Sequence, residues 1–157
     1  MFKVGSPPDT VTPPPEASKK GFKKSVYAHA DIIYFDLKLA DAGDHYQFCG
    51  IGNRVILDNF TALQALNLQG GAMVLPRIPL IPGITDTDEN ITAIGQFLKK
   101  NKVKHAQLIP YHPFGKEKNQ KLGIDLPRVG EKRIPPWNEP VRIKACKNII
   151  QAAGIQI

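Results

Sequence analysis

Asp36, Lys38, Arg77 and His112 are the residues of this chain whose types and places invite chemistry. Asp36 and Lys38 close the apolar run Asp31-Ile32-Ile33-Tyr34-Phe35-Asp36-Leu37-Lys38. Arg77 falls in a second run, Ala72 to Ile81, and His112 follows a third, His105 to Pro110. Together they offer a carboxylate, two cations and an imidazole, a set suited to holding a zwitterionic or anionic small molecule. A plainer reading competes. Polar residues follow any buried strand, Arg77 then being a salt-bridge partner and His112 a loop histidine. Hydrolase chemistry is poorly supported, because no serine stands in a Gly-x-Ser-x-Gly turn and Cys49 has no evident base. Gly50-Ile51-Gly52 lacks the later glycine and the strand–turn–helix setting of a phosphate loop.

The elements that must position these residues follow from periodicity. The unbroken apolar run Ile32 to Phe35 predicts a parallel strand buried on both faces. Ligands of parallel sheets gather outside the carboxyl ends of the strands, where Asp36 and Lys38 stand. Asp41 is placed to cap a helix of one or two turns, which Gly50 to Asn53 breaks. Val55, Ile56, Phe60, Leu63 and Leu66 recur at helical spacing from Asn53 to Leu68, and Gly70-Gly71 ends that helix. A second strand runs from Ala72 to about Arg77; beyond it Pro79 and Pro82 predict an extended stretch without a full ladder. Asp86 or Thr87 caps the next helix, which buries Ile91, Ile94, Phe97 and Leu98 up to about Lys100. His105 to Pro110 is a third strand, and residues 115 to 137 read as a long loop. A last helix from Asn138 to Ala153 carries Val141, Ile143, Cys146, Ile149 and Ile150. Gly154 ends it, leaving Ile155 to Ile157 for a short terminal strand. Repeated βα units with connections too long for hairpins make the chain α/β with parallel strands.

At 157 residues the chain is long enough for one domain with a real core. Five prolines among the first 15 residues predict an irregular start over residues 1–24, although Phe22, Val26 and Tyr27 permit a short helix between Glu16 and His29. Hydrophobic residues make up 42% and charged residues 22%, the balance of a soluble globular protein. No apolar run reaches bilayer-spanning length and the start does not read as a signal peptide, which predicts a cytoplasmic protein without membrane contact. The net charge of +7 comes from scattered lysines with no interleaved aromatics, so a nucleic-acid surface is not expected. Cys49 and Cys146 are far apart and outside any CxxC cluster; both are expected to be small buried or half-buried residues.

Four motifs in order carry a resemblance. Asp36-Leu37-Lys38; His45 to Asn53 with Gly50-Ile51-Gly52-Asn53; Arg77-Ile78-Pro79-Leu80-Ile81-Pro82-Gly83-Ile84-Thr85-Asp86; and Leu108 to His112 followed by Gly115 and Lys118 resemble the C-terminal half of the glycyl-radical-enzyme activating enzymes. Pyruvate formate-lyase activase typifies that family, and the likeness covers about residues 25–157. It implies part of a partial (β/α) barrel of the radical S-adenosylmethionine superfamily. It also implies an oxidoreductase in which a 4Fe-4S cluster reduces S-adenosylmethionine and the resulting radical takes hydrogen from a glycine of a partner glycyl-radical enzyme. By motif position, Asp36, Leu37, Lys38, Arg77 and His112 match residues at the S-adenosylmethionine. Asp36 with the main chain of Tyr34 falls where some members bind a monovalent cation, and Asp9-Thr10 matches a second part of that site, without its usual glycine.

The family's CxxxCxxC cluster loop is absent from this sequence, and Cys49 stands where threonine is common. Two cysteines cannot supply the three thiolates the cluster needs from one loop. Two readings of function therefore stand side by side. In one the chain is a fragment of an activase; in the other it is a non-catalytic module that binds S-adenosylmethionine or the partner. A fragment is expected to expose a sheet edge and so to dimerise or aggregate.

Overall fold

The computed structural model describes residues 29–112 and 137–157. From Asp31 onward these belong to one compact unit. The expectations for residues 1–24, for the Glu16–His29 helix apart from His29 itself, for Asp9 and Thr10, and for most of the 115–137 loop lie outside the described residues.

Three strands form one parallel sheet in the order β1 (Ile32–Asp36), β2 (Met73–Leu80), β3 (Gln107–Pro110). Two helices, α1 (Ala42–Cys49) and α2 (Arg54–Asn67), cross from β1 to β2; α3 (Asp88–Lys100) crosses from β2 to β3, and α4 (Pro140–Ala152) follows. The terminal strand is reduced to a single parallel bridge between His105 and Gln156. Parallel neighbours need crossovers of this length, and the helices carry the apolar stripes that make the crossovers pack. No helix among the described residues is long and apolar enough to cross a membrane.

Local chemistry sets the boundaries. Asp41 accepts from the Asp44 N–H at 2.9 Å and caps α1, and Gly50 closes it at φ 74°, a conformation that only glycine adopts without strain. Thr87, rather than Asp86, caps α3 through the Asn90 N–H, leaving the Asp86 carboxylate for other partners. Lys99 and Lys100 in the last turn of α3 suit its negative end.

The core lies on one side of the sheet. Val74, Pro76, Ile78 and Leu80 of β2 point into it, with Phe60, Leu63, Ile91, Ile94, Leu98, Cys146, Ile150 and Ile155 from the helices and the C-terminus. Phe60 is wholly buried and joins layers. Its ring meets Phe35 of β1 edge-on at 5.2 Å and Phe97 of α3 at 5.5 Å. At Gly95 α3 comes close to the end of α4: a Cβ there would meet Ala153 Cβ at 3.3 Å and Ile150 Cδ1 at 3.5 Å.

Four expectations need correction. β1 is not buried on both faces: Ile32 is 45% and Tyr34 54% exposed, because among the described residues β1 is an edge strand and the helices cover one face only. Met73 and Ile109 share that open face. Second, the ladder of β2 continues through Leu80 despite its prolines. Met73 N–H donates to Asp31 O and Leu37 N–H to Arg77 O, both at 2.9 Å, so the odd-numbered residues of β2 turn their backbone groups toward β1 and the even-numbered ones toward β3. Pro76 thus lacks its donor toward β3 at a level where β3 has not begun, since Gln107 is opposite Arg77. Pro79 lacks its donor toward β1 beyond Asp36, the last residue of that register. Both prolines are accommodated because each faces a missing neighbour. Third, Val55 and Val141 are exposed, since each lies in the first turn of its helix, beyond the reach of the core. Fourth, Cys49 is exposed at the last turn of α1, while Cys146 is buried as expected.

Replacing the layer-joining aromatic has a calculable cost. Phe60→Ala is expected to lower unfolding stability by about 3–5 kcal/mol. Urea denaturation should show this as a lower midpoint at nearly constant slope, and a change below about 1 kcal/mol would place Phe60 outside the core.

Candidate functional site

The carboxyl ends of the three strands share one edge of the sheet because all three run the same way. Asp36 and Arg77 are register partners there, and strand alternation puts both on the open face with Tyr34. Arg77 Nε donates to Asp36 Oδ1 at 2.8 Å, and the guanidinium sits over the Tyr34 ring at 5.1 Å from its centroid. The two charged side chains keep 38% and 41% of their exposure, so water screens the pair and its net worth is about 0–1 kcal/mol. The pair is more a pre-set arrangement of charge than a structural rivet.

Lys38 is exposed two residues beyond Asp36, and alternation directs it to the same face. Leu37 differs. Its side chain is buried, and its N–H extends the ladder to Arg77 O at 2.9 Å, so neither group is open to a ligand. His112 is exposed two residues past the end of β3, with its ring set edge-on against Trp137 at 5.7 Å. The sequence-derived site residues Asp36, Lys38, Arg77 and His112 therefore flank one sheet edge. Asp36, Arg77 and Tyr34 touch directly. Among the described residues no group of three or more His, Cys, Asp or Glu side chains is arranged to hold a metal ion.

Side chains that sequence reasoning gave no such role hold this edge in place. Asn90, at the start of α3, accepts from the Ala40 N–H at 2.9 Å and donates to Lys38 O at 2.9 Å and Thr85 O at 2.7 Å. Asn53, at the N-terminus of α2, donates to Leu39 O and Ala40 O at 3.0 and 2.7 Å. His45 Nδ1 lies 2.6 Å from Ile51 O and steadies the turn between α1 and α2. Thr85 donates to Pro79 O at 2.5 Å and accepts from the Ile81 N–H at 2.6 Å, standing in for the β1 neighbour that ends too soon. Asp86 accepts from the Gly83 N–H at 2.7 Å and from Asn138 Nδ2 at 3.0 Å, and Asn138 Oδ1 in turn accepts from the Tyr111 N–H at 2.7 Å. Arg142 donates to Asp86 O and to Asp88 Oδ1. Burial works against the charge of Arg142, but its bond to Asp88 and the fields of Cys146, Asp88 and Asp86 outweigh it, and its pKa is raised. Burial likewise pushes the Cys146 thiol up, and its Sγ lies 3.6 Å from Asp86 O. The signal for these residues in sequence was partial: Asp86 was a cap candidate, and His45, Asn53, Thr85 and Asp86 fell within the ordered motifs, but nothing gave their partners.

The architecture defines a class first. Parallel βα units with polar residues gathered at the carboxyl ends are part of a partial (β/α) barrel. A solved domain of pyruvate-formate lyase-activating enzyme from Bacteroides vulgatus has the same fold at TM-score 0.59 and 23% identity, over 80% of this chain and 65% of that one. No family model matches the chain. Among individual proteins, the indoleacetate decarboxylase activating enzyme of Tractidigestivibacter scatoligenes is 32% identical over 133 residues, 83% of this chain and 39% of the relative. The trans-4-hydroxy-L-proline dehydratase activating enzyme of Clostridioides difficile is 37% identical over 112 residues, 67% of this chain and 36% of the relative. The pyruvate formate-lyase-activating enzyme of Streptococcus mutans is 32% identical over 120 residues, 76% and 43% respectively. The homologues of this chain are glycyl-radical-enzyme activating enzymes, and it belongs with that family over the stretch it spans, about two fifths of those relatives' length.

Asn90 carries the sharpest test of the site's framework. Asn90→Ala leaves the Lys38 and Thr85 carbonyls and the Ala40 N–H without their partner, and is expected to cost about 2–4 kcal/mol. A shift of the urea midpoint measures it, and an unchanged midpoint would mean that these bonds are not needed.

Proposed function

We propose that this chain carries the S-adenosylmethionine-binding strand ends of an activating enzyme that generates a glycyl radical on a partner enzyme. The observation that carries the reading is the Asp36–Arg77 pair on Tyr34 at one sheet edge, flanked by Lys38 and His112, in a chain whose homologues are named activating enzymes. The residues fit the methionine end of that ligand. A cation is needed for its carboxylate and a carboxylate for its ammonium group; Lys38 or Arg77 serves the first and Asp36 the second. Exchange is inexpensive, because the exposed Asp36–Arg77 bond can be given up for ligand contacts of equal kind. His112, with its ring braced by Trp137, is placed for the ribose or adenine, and the main chain of Leu37 joins β1 to β2 at the same edge.

When reduced by an iron–sulfur cluster, S-adenosylmethionine is a source of a carbon radical able to take hydrogen from a glycine. The cluster itself does not fit the residues of this chain. Cys49 is on α1 and Cys146 is buried in α4, and a four-iron cluster needs thiolates converging from one loop. The part played by these residues is to bind and orient the ligand, which favours S-adenosylmethionine or partner binding as the chain's own share of the activity. Asp36 with the Tyr34 main chain, and Asp9-Thr10 by motif, are proposed for a monovalent cation.

Calorimetry of the purified chain with S-adenosylmethionine is expected to show binding that Lys38→Ala and His112→Ala each weaken by about tenfold or more. Unaltered affinity in both variants would overturn the site. The open sheet face gives a further expectation. With Ile32, Tyr34, Met73 and Ile109 uncovered, the chain alone should form dimers or larger species in light scattering as concentration rises. A clean monomer throughout would remove self-association from the proposal.

A further inference from the structure

The geometry points to Asp86 and Asn138 as a donor–acceptor pair that positions His112, a role resting on the S-adenosylmethionine reading given above. His112 lies two residues past the end of β3 at Pro110. The first main-chain group past that end, the Tyr111 N–H, is taken by Asn138 Oδ1 at 2.7 Å. Since Tyr111 donates, the atom facing it must be the amide oxygen, and the amide nitrogen of Asn138 must therefore face Asp86. It does so at 3.0 Å from Asp86 Oδ2. Asp86 cannot turn away, because its other oxygen holds the Gly83 N–H at 2.7 Å and its own carbonyl is gripped by Arg142. Asp86 and Asn138 are 5% and 8% exposed, so little water is at hand to replace a lost partner. Trp137, which braces the His112 ring, is the residue next to Asn138. One chain of bonds thus ties the turn after β2 to both sides of His112: its backbone through Tyr111 and its ring through Trp137.

This arrangement has a polarity that can be inverted. Asp86→Asn alone sets an amide nitrogen against the nitrogen of Asn138, or else takes the acceptor from Gly83. Asn138→Asp alone sets two carboxylates against each other at a spacing of 3.0 Å in a buried place. The double exchange, Asp86→Asn with Asn138→Asp, restores every bond: position 86 accepts from Gly83 and donates to position 138, which still accepts from Tyr111. A merely structural polar residue would not predict this rescue.

The test uses the full chain and two readouts. S-adenosylmethionine affinity is measured by calorimetry. Quenching of Trp137, the chain's one tryptophan, is measured as the emission gained when His112→Ala is added to each variant. Circular dichroism establishes that each variant folds, and Asn138→Ala replaces any single exchange that does not. Each single exchange is expected to weaken binding by about tenfold, the scale of a buried hydrogen bond lost with its partner left unpaired. Each should also reduce the His112 quenching, and the double exchange should bring both close to the starting values. Asn138→Asp alone should regain affinity as pH falls, because a shared proton removes the repulsion between the two carboxylates. Single exchanges that leave quenching and binding unchanged, or a double exchange no better than its worse parent, would overturn the positioning role. If the unmodified chain binds no S-adenosylmethionine, the ligand reading fails. The quenching series then still decides whether this pair sets the place of His112.

Discussion

The constraint on which this structure depends is the hydrogen-bonding debt left where parallel strands stop. At the carboxyl end of each strand the backbone runs out of neighbours, yet this edge lies close to the core and cannot leave its polar groups unpaired. Asn90 settles much of it alone, with Ala40, Lys38 and Thr85 as its partners. Thr85 takes Pro79 O, Asn53 takes Leu39 O and Ala40 O, and Asn138 takes the Tyr111 N–H. Each of these side chains lies later in the chain than the groups it serves. The helices that follow the strands are thereby locked to the strand ends and not only to the sheet's apolar face.

That arrangement separates two kinds of residue at the same edge. Asp36, Lys38, Arg77 and His112 are exposed or half exposed, so their side chains can change partners at small cost. Asn53, Asn90, Asp86 and Asn138 are buried and bonded, and their displacement is costly. A ligand site needs both: groups free to exchange water or each other for the ligand, on a backbone that does not move when they do. The Asp36–Arg77 bond illustrates the first kind, and the grip of Arg142 on Asp86 the second, where burial and neighbouring carboxylates act in opposite directions on one guanidinium.

The exchangeable residues were legible in the sequence, whereas of the supporting ones only a capping or motif position was, and not the partners they meet. Asp36, Arg77 and His112 follow or interrupt apolar runs, which is a local pattern, and the parallel sheet follows from the alternation of runs and helical stripes. The partners of Asn90 lie some fifty positions away at Lys38 and Ala40, and nothing local in an asparagine tells which carbonyl it will meet. The same limit misled the reading of Pro79. Proline forbids a ladder bond only on the side its nitrogen faces, and that side is set by the register of two other strands. Burial of β1 failed for a related reason, since an unbroken apolar run records that both faces want cover without saying that both have it.

The uncovered face then has a bearing on the site. Parallel sheets are ordinarily covered on both sides, and the apolar exposure of Ile32, Tyr34, Met73 and Ile109 is unusual for that class. Asp36 and Arg77 stand on this same face, with the Tyr34 ring beneath the guanidinium. Whatever covers the apolar residues therefore also lowers the dielectric around the charged pair, and the screening that makes the pair weak in water is reduced. In an open sheet the pair is reachable but mild. Under a cover the same two groups would demand compensation for their charge, and a zwitterionic ligand presenting an ammonium and a carboxylate together supplies both signs at once.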